Sequence, residues 1–498
     1  MQDVIAAIDL GSNSFRLQVG RIVNDQIYAL DGIKEPVRLA AGLSADKFLD
    51  DAAMARGISA LRRFHERVAG FAPEAVRAVA TNTLRVAKNA ADFLAQGEAA
   101  LGFPIEVIAG REEARLIYVG VAHTLPDPQR QRLIVDIGGG STEFIIGKNF
   151  EPILLDSLYM GCVGFSLKYF PGGRIDKRGM KEAMLAARRE LQSIVHDYRE
   201  AGWEIAVGSS GTAKALLEIL DQNGLAAGCI THDGLARLRA MLLRAGRLDA
   251  VDLPGLKGDR VPVILGGLAI MSAVFQEFGL ERMEFSEGAL RLGVLYDLLG
   301  RYHHHDLRDA SVDAFMTRYR VNANQAGQVA DTACHLLEQL DPVMADAANL
   351  DRRFLRWAAM LHEIGISVAH ASYHKHSAYI LANADMPGFS KMDQTRLARI
   401  VLAHRGKLER LAGIEPTSPD WQLIVCLRLA VVIHRARDHR GVPAIGLTRA
   451  RHGFVVETPP GWLQHLPLTA AAFEEERQQW QSVDRVLTVR TRAAQQTQ

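Results

Sequence analysis

Two short segments each place an aspartate at the head of a turn rich in glycine and hydroxyl groups: Asp9-Leu10-Gly11-Ser12-Asn13-Ser14 and Asp136-Ile137-Gly138-Gly139-Gly140-Ser141-Thr142. Such turns expose backbone N–H groups that no side chain blocks, so two of them facing each other can cradle phosphate oxygens from both sides. Gly11, Ser12, Asn13, Ser14, Gly138, Gly139, Gly140, Ser141 and Thr142 are therefore candidate phosphate contacts, with the hydroxyls and the Asn13 amide as further donors. A third turn, Gly208-Ser209-Ser210-Gly211-Thr212, has the same character. It is not a Walker A loop, because Lys214 stands in the wrong place. An aspartate beside bare phosphate is repelled, and a divalent cation between them removes the objection. Asp9 and Asp136 are thus candidate Mg²⁺ ligands, directly or through water; each alone reads equally well as an Asx-turn residue capping its own loop. Glu143 opens the strand that leaves the second turn, where its carboxylate can return toward the same cation or simply be solvated. Gly110-Arg111-Glu112-Glu113-Ala114-Arg115 opens a helix with two adjacent acids, and spacing alone assigns these to the helix dipole.

The elements that must hold these turns alternate in type. Val4–Leu10 and Phe15–Val23 read as strands, Ala52–Ala69 as a helix with its apolar face at Ala53, Ile58, Leu61, Phe64 and Val68, and Ala75–Ala80 as another strand. Asp, Gly and Ser of the first motif recur at one constant offset in the second, and each copy follows one strand and runs into another (Phe15–Val19, Glu143–Ile146). That repetition predicts two related α/β lobes, 1–120 and 121–302, with a cleft between them. From Arg301-Tyr302-His303-His304-His305 the pattern turns helical (Asn324–Leu340, Arg353–His362, Thr395–His404, Leu423–His434), giving an expected all-α domain over 303–440. Strand-like alternation at His452–Glu457 and a Pro459-Pro460-Gly461 turn mark a small α+β terminal domain, 441–498.

The 498 residues carry a net charge of +1 and are 48% hydrophobic, which excludes bulk disorder and a nucleic-acid binder acting through its overall field. A polyanion must be met by a local basic surface. No signal-like or 18-residue apolar stretch is present, and Cys162, Cys229, Cys334 and Cys426 form neither CxxC pairs nor metal-knuckle spacings. These features suggest reduced cysteines and a cytoplasmic chain, attached to membrane at most peripherally.

Taken in order, Asp9–Ser14, Gly110-Arg111-Glu112-Glu113-Ala114-Arg115-Leu116-Ile117, Asp136–Glu143 and Ser286-Glu287-Gly288-Ala289-Leu290-Arg291 resemble the exopolyphosphatase / guanosine pentaphosphate phosphohydrolase family. Thr83-Leu84-Arg85, Met160-Gly161-Cys162-Val163 and Phe170-Pro171-Gly172-Gly173 fit as well, so the resemblance runs close to the full chain. It implies two actin-like (ribonuclease H-like) lobes and Mg²⁺-dependent hydrolysis of a terminal phosphoryl group. By the same resemblance Glu113 becomes the catalytic base, Asp136 and Glu143 the metal-associated carboxylates, and Arg85 a cation at the reacting phosphate. It also implies a homodimer.

The helical part resembles an HD-type phosphohydrolase domain in outline. An HD metal site needs an early His, a His-Asp pair and a late Asp; here His335 could serve as the first, but the pair is His362-Glu363 and Val431 stands in the late position. No catalytic metal is expected there. His370, His374 and His376 read as surface or interface histidines. Arg435, Arg437 and Arg440 are the densest part of a basic tract, expected to hold a long polyphosphate between turnovers or else to be a solvated helix face. The expected reaction is processive release of orthophosphate from inorganic polyphosphate, with guanosine pentaphosphate as the alternative substrate and no nucleic-acid partner. An actin-like phosphotransferase or ATPase is the less favoured class.

Overall fold

The first strand, β1 (Val4–Leu10), is buried along almost its whole length, which is why it reads as a near-continuous apolar run and lies inside a sheet. It turns through Gly11–Ser14 into β2 (Phe15–Val23), which continues antiparallel into β3 (Gln26–Glu35). On its other side β1 pairs in parallel with β4 (Val76–Ala80), and β4 with β5 (Ile105–Val107), giving the order β3-β2-β1-β4-β5. The computed structural model describes all residues except 1–3, 24–25, 126–128, 251, 303–305, 348, 412–413, 438–443 and 493–498. Its residues fall into two units, Met1–Asp306 and Leu307–Gln498.

The first unit repeats its opening. β6 (Arg132–Ile137), β7 (Thr142–Lys148) and β8 (Glu151–Leu158) form a second antiparallel meander, and β6 pairs in parallel with β9 (Ile205–Gly208). With β10 (Ile230–Thr231) and β11 (Arg282–Phe285) the order is β10-β11-β9-β6-β7-β8. The registers match as well: Asp9 lies opposite Arg16 on β2, and Asp136 lies opposite Glu143 on β7. Equivalent sites thus carry a cation in one sheet and an acid in the other.

Between the sheets lie the Gly110–Ala122 and Leu290–Tyr302 helices. One apolar core joins Ile5, Ala7 and Val79 of the first sheet to Ile134, Ile145 and Val207 of the second through Leu116, Val121, Val294 and Leu298. The two helices touch backbone to backbone. A Cβ at Gly293 would stand 1.7 Å from the Leu116 carbonyl oxygen, and one at Gly120 would stand 2.3 Å from that of Ala289. Only glycine allows this approach, so the register of one helix on the other is fixed along their shared stretch.

The second unit packs Leu307–Arg318, Ala323–Leu340, Leu350–Leu361, Tyr373–Asn383, Lys391–Ala403 and Asp420–Ile433 around a single core. The side chains of Asn322, Asn349 and Ser390 cap three of these helices. A three-stranded sheet of β12 (Gly446–Ala450), β13 (Gly453–Thr458) and β14 (Val486–Thr491) contributes Leu447, Val456 and Leu487 to the same core. The fold is mixed α/β with a helical C-terminal part. No helix among the described residues is long and apolar enough to cross a membrane.

His374 departs from its expected place on the surface. It is buried against His404, with ring centroids 6.2 Å apart, while His362 packs 5.1 Å from the same ring. The Nδ1 atoms of His362 and His404 lie within hydrogen-bond distance of the Ala359 and Val401 carbonyls, and burial lowers the pKa of all three rings. His370 is exposed, and His335 lies on the surface beside Glu338.

Candidate active site

The two Asp-Gly turns face each other directly. A Cβ on Gly139 would come 2.9 Å from Ser12 Cβ and 3.1 Å from the Asn13 nitrogen, and one on Gly140 would come 2.4 Å from Asn82 Oδ1. Glycine at 139 and 140 is therefore a requirement of loop meeting loop. Behind the second turn, Gly161 lies so close to the Gly139 carbonyl (2.3 Å from a hypothetical Cβ) that it too leaves no room for a side chain.

Beside this contact opens a cleft of about 360 Å³. Asp9, Gly11, Ser12, Asn13, Ser14, Glu113, Asp136, Gly138, Gly139, Gly140, Ser141, Glu143, Ser209, Ser210 and Gly211 all line it, so most of the candidates named from sequence converge. Thr142 and Gly208 do not: the Thr142 hydroxyl donates to the Met160 carbonyl at 2.5 Å, and Gly208 packs under Ala213 and Met283. Arg85 reaches the site through Glu113. Its Nη1 donates to Glu113 Oε2 at 3.2 Å and to the Ile108 carbonyl at 2.9 Å. Arg435 is exposed, Arg437 is ion-paired with Glu363, and Arg440 lies outside the described residues.

Local sequence explains how these groups are aimed. Glu113 sits in the first turn of a helix whose positive end favours acids. Asp136 ends a buried strand and accepts from Ser209 Oγ at 2.6 Å, so this hydroxyl orients a carboxylate. Ser210 is occupied too, capping the Gly211–Gln222 helix by accepting from the amides of Thr212 and Ala213. Glu143 accepts from Ser157 Oγ at 2.8 Å. Ser12 Oγ accepts from Thr83 Oγ1 at 2.7 Å, which ties the first turn to the segment carrying Arg85.

Burial raises the pKa of all four carboxyls, and repulsion from neighbouring carboxylates adds to it at Glu113, Asp136 and Glu143. Burial pushes Glu113 up to about 7, against the pull of Arg85 and with added repulsion from Asp9. Burial likewise raises Asp136 to about 7, although the Ser209 hydrogen bond opposes it. Asp9 is raised by burial against Arg291 and Arg16, and Glu143 is raised well above the usual range by burial and by Glu113 and Asp136. Such a group stabilises the fold fully below its unfolded pKa, near 4, and loses that contribution as pH rises through the folded value. In metal-free buffer, unfolding temperature should therefore fall between pH 6 and 8 relative to an Asp136→Asn variant, as scanning fluorimetry would record. Parallel curves would show that Asp136 is already ionised.

A buried all-oxygen donor set under mutual repulsion suits a hard divalent cation, and Asn13 Oδ1 is a further buried oxygen without a hydrogen-bond partner. No three His, Cys, Asp or Glu among the described residues are grouped tightly enough to hold an ion by themselves. That restricts the fit to one or two carboxylates completed by water and substrate oxygens, as is usual for Mg²⁺.

Cations surround the acids. Arg291 Nη1 stands 3.9 Å from Asp9 Oδ2, and burial together with the nearby Arg291 brings Arg16 down to about 10. Lys34, Lys214, Lys257 and Arg260 complete the wall, with Lys214 bridging to Glu287 and Arg260 packed flat on Gly211. The sequence reading gave none of these cations a role in the site, although Arg291 closes one of the family motifs and Lys214 follows the third turn. Arg16 was within reach, because the offset that maps Asp136 onto Asp9 also maps Glu143 onto Arg16. Arg260 carries no local signal, since only folding brings it to Gly211.

Over 480 residues the chain is 39% identical to a protein of Aeromonas hydrophila named guanosine-5'-triphosphate,3'-diphosphate pyrophosphatase, covering 95% of this chain and 96% of that one. A protein of the same name from Pseudoalteromonas translucida is 38% identical over 481 residues, covering 96% of each. An exopolyphosphatase crystal structure from Cytophaga hutchinsonii superposes with a TM-score of 0.55 at 25% identity, over 59% of this chain and 97% of that one. Residues 18–302 match the Ppx/GppA phosphatase family and residues 307–477 match Ppx/GppA phosphatase, domain III. The chain therefore belongs to the Ppx/GppA phosphatase family and is a hydrolase of phosphoanhydride bonds.

Proposed function

We propose that this enzyme removes the terminal phosphate of guanosine pentaphosphate, releasing orthophosphate and leaving the tetraphosphate. Glu113, held by Arg85 at the edge of a cleft lined by the two glycine-rich turns, is the observation that carries the chemistry. The substrate rests on the full-length relatives named above, and this reverses the order of substrates expected from sequence. Inorganic polyphosphate remains a second substrate, favoured by the row of cations along the cleft and by exposed Arg435.

The terminal phosphoryl group enters the cleft beside the contact of Gly11–Ser14 with Gly138–Ser141, where donors of the two turns take up its oxygens. Arg16, Arg291 and Arg260 neutralise the phosphates behind it, charge that would otherwise repel an incoming nucleophile. Glu113 orients a water in line with the bridging oxygen and accepts its proton as the P–O bond to the leaving phosphate breaks. Asp136 with one of its neighbours, Glu143 or Asp9, would hold Mg²⁺, completed by water and substrate oxygens, and the ion would supply further positive charge to the phosphates.

In this reading the first unit is a pair of actin-like lobes, 1–120 and 121–302. An HD-like helical domain and a small terminal domain follow, and the enzyme is a homodimer. Turnover of guanosine pentaphosphate and of long-chain polyphosphate, assayed side by side as phosphate released at equal Mg²⁺, decides the substrate. The expected result is the higher kcat/KM for the nucleotide, and the reverse order would restore polyphosphate as the main substrate. Phosphate transfer to an acceptor without net release would point to a phosphotransferase.

A further inference from the structure

Behind the catalytic face of the Gly110–Ala122 helix lies a chain of five buried or nearly buried charges that the chemistry does not use. Glu112 takes a two-point contact from Arg115, with Nε–Oε2 at 2.8 Å and Nη2–Oε1 at 2.7 Å. Arg115 Nη2 also donates to Asp297 Oδ1 at 2.5 Å, the other oxygen of Asp297 accepts from Arg77 Nη1 at 2.7 Å, and Arg77 donates onward to Glu106. Glu112, Arg115, Arg77 and the Asp297 side chain are each less than a tenth exposed. The acids hold both guanidiniums firmly charged in spite of burial.

We propose that Asp297 is a positioning residue for the base: through Arg115 it fixes the rotation of the first turns of the Gly110–Ala122 helix, and so the aim of Glu113. The glycine contacts described above pin this helix against Leu290–Tyr302 near Leu116 and Gly120, in its later turns. Glu113 lies ahead of that stretch, flanked by Glu112 and Arg115, which enter the ion network. Asp297 sits at the centre of the chain and is the link by which a neighbouring helix holds both guanidiniums. With that link weakened, the helix axis stays where glycine packing puts it, while the turn bearing Glu113 is freer to rotate. The phosphate-binding turns lie on other segments, so binding should survive while turnover falls.

The inference rests on Glu113 acting as the base, and the test keeps the two apart. Asp297→Asn, Glu106→Gln and Glu113→Gln are assayed with guanosine pentaphosphate and Mg²⁺, together with unfolding temperatures. Asp297→Asn should lower kcat by about 10- to 100-fold, as misplacement of a reacting group by an ångström does, with KM within about twofold. Glu106→Gln disturbs the same network at its outer end, away from the base-bearing helix, and should keep kcat within about twofold whatever it costs in stability. If Asp297→Asn does not fold, Arg115→Lys, which keeps the charge but loses the two-point contact, should show the same split between kcat and KM. Turnover near the parent value in a folded Asp297→Asn or Arg115→Lys protein overturns the proposal. So does a fall in kcat shared equally with Glu106→Gln and tracking unfolding temperature. An active Glu113→Gln removes the underlying reading instead.

Discussion

Replacing Glu113 by Gln should reduce turnover by about 10²–10⁴ while leaving substrate affinity nearly intact, the range for loss of a positioned base. That loss is equivalent to about 2.7–5.5 kcal/mol of transition-state stabilisation. Glutamine keeps the size of the side chain and can still accept from Arg85, so the cleft should remain formed. What it cannot do is take a proton. Because burial holds the Glu113 carboxyl up to about 7, the parent enzyme's kcat/KM should rise with pH through that region as the base ionises. The variant should lose the part of this rise that belongs to Glu113, keeping only what Asp136 adds as it ionises over the same range. Single-turnover phosphate release across pH 5.5–8.5 measures both effects, and an unchanged rate in the variant would assign the proton to another group.

The second large effect is expected at Asp136. Asp136→Asn should lower Mg²⁺-dependent turnover by about 10²–10³, the scale for removing one strong electrostatic contact from a reacting centre. It should also abolish the stabilisation that the cation brings. A metal at 100 times its Kd stabilises the folded protein by about 2.7 kcal/mol, and that increment should be missing from the variant's unfolding curve. Without metal the same substitution relieves a buried carboxylate pressed by Asp9 and Glu143, so the variant should be the more stable of the two at pH 8. Gain without metal and loss with it form a pair of opposite signs that simple damage to the fold does not produce. A variant with an undiminished Mg²⁺ shift would move the cation site elsewhere.

Much of this was legible in the sequence for identifiable reasons. β1 and β2 were read residue for residue, because their apolar runs are long and a glycine turn separates them. The duplicated motif gave the pairing of the turns, because side-chain types on a hairpin repeat when the hairpin does. β3 and β8 escaped, being edge strands with mostly exposed or half-exposed residues, which leaves their period-two pattern weak. Spacing alone gave Glu113 to the helix dipole, since a carboxylate in a first turn looks the same whether it faces solvent or a cleft. Its environment is set by Arg85, 28 residues earlier. His374 was placed on the surface because its ligand-like spacing from His370 carries no information about burial, which depends on His404 arriving from another helix.

The matched registers of the two meanders have one more consequence. Two identical copies of the hairpin would offer a linear anion the same lining at either end of the cleft, and it would fit equally well head first or tail first. Arg16 in one copy and Glu143 in the other break that degeneracy by sign. In the proposed mode of binding, the Arg16 side attracts the anion directly while the buried Glu143 side needs a counter-ion, and that asymmetry would set the polarity of entry before any base or chain length is inspected.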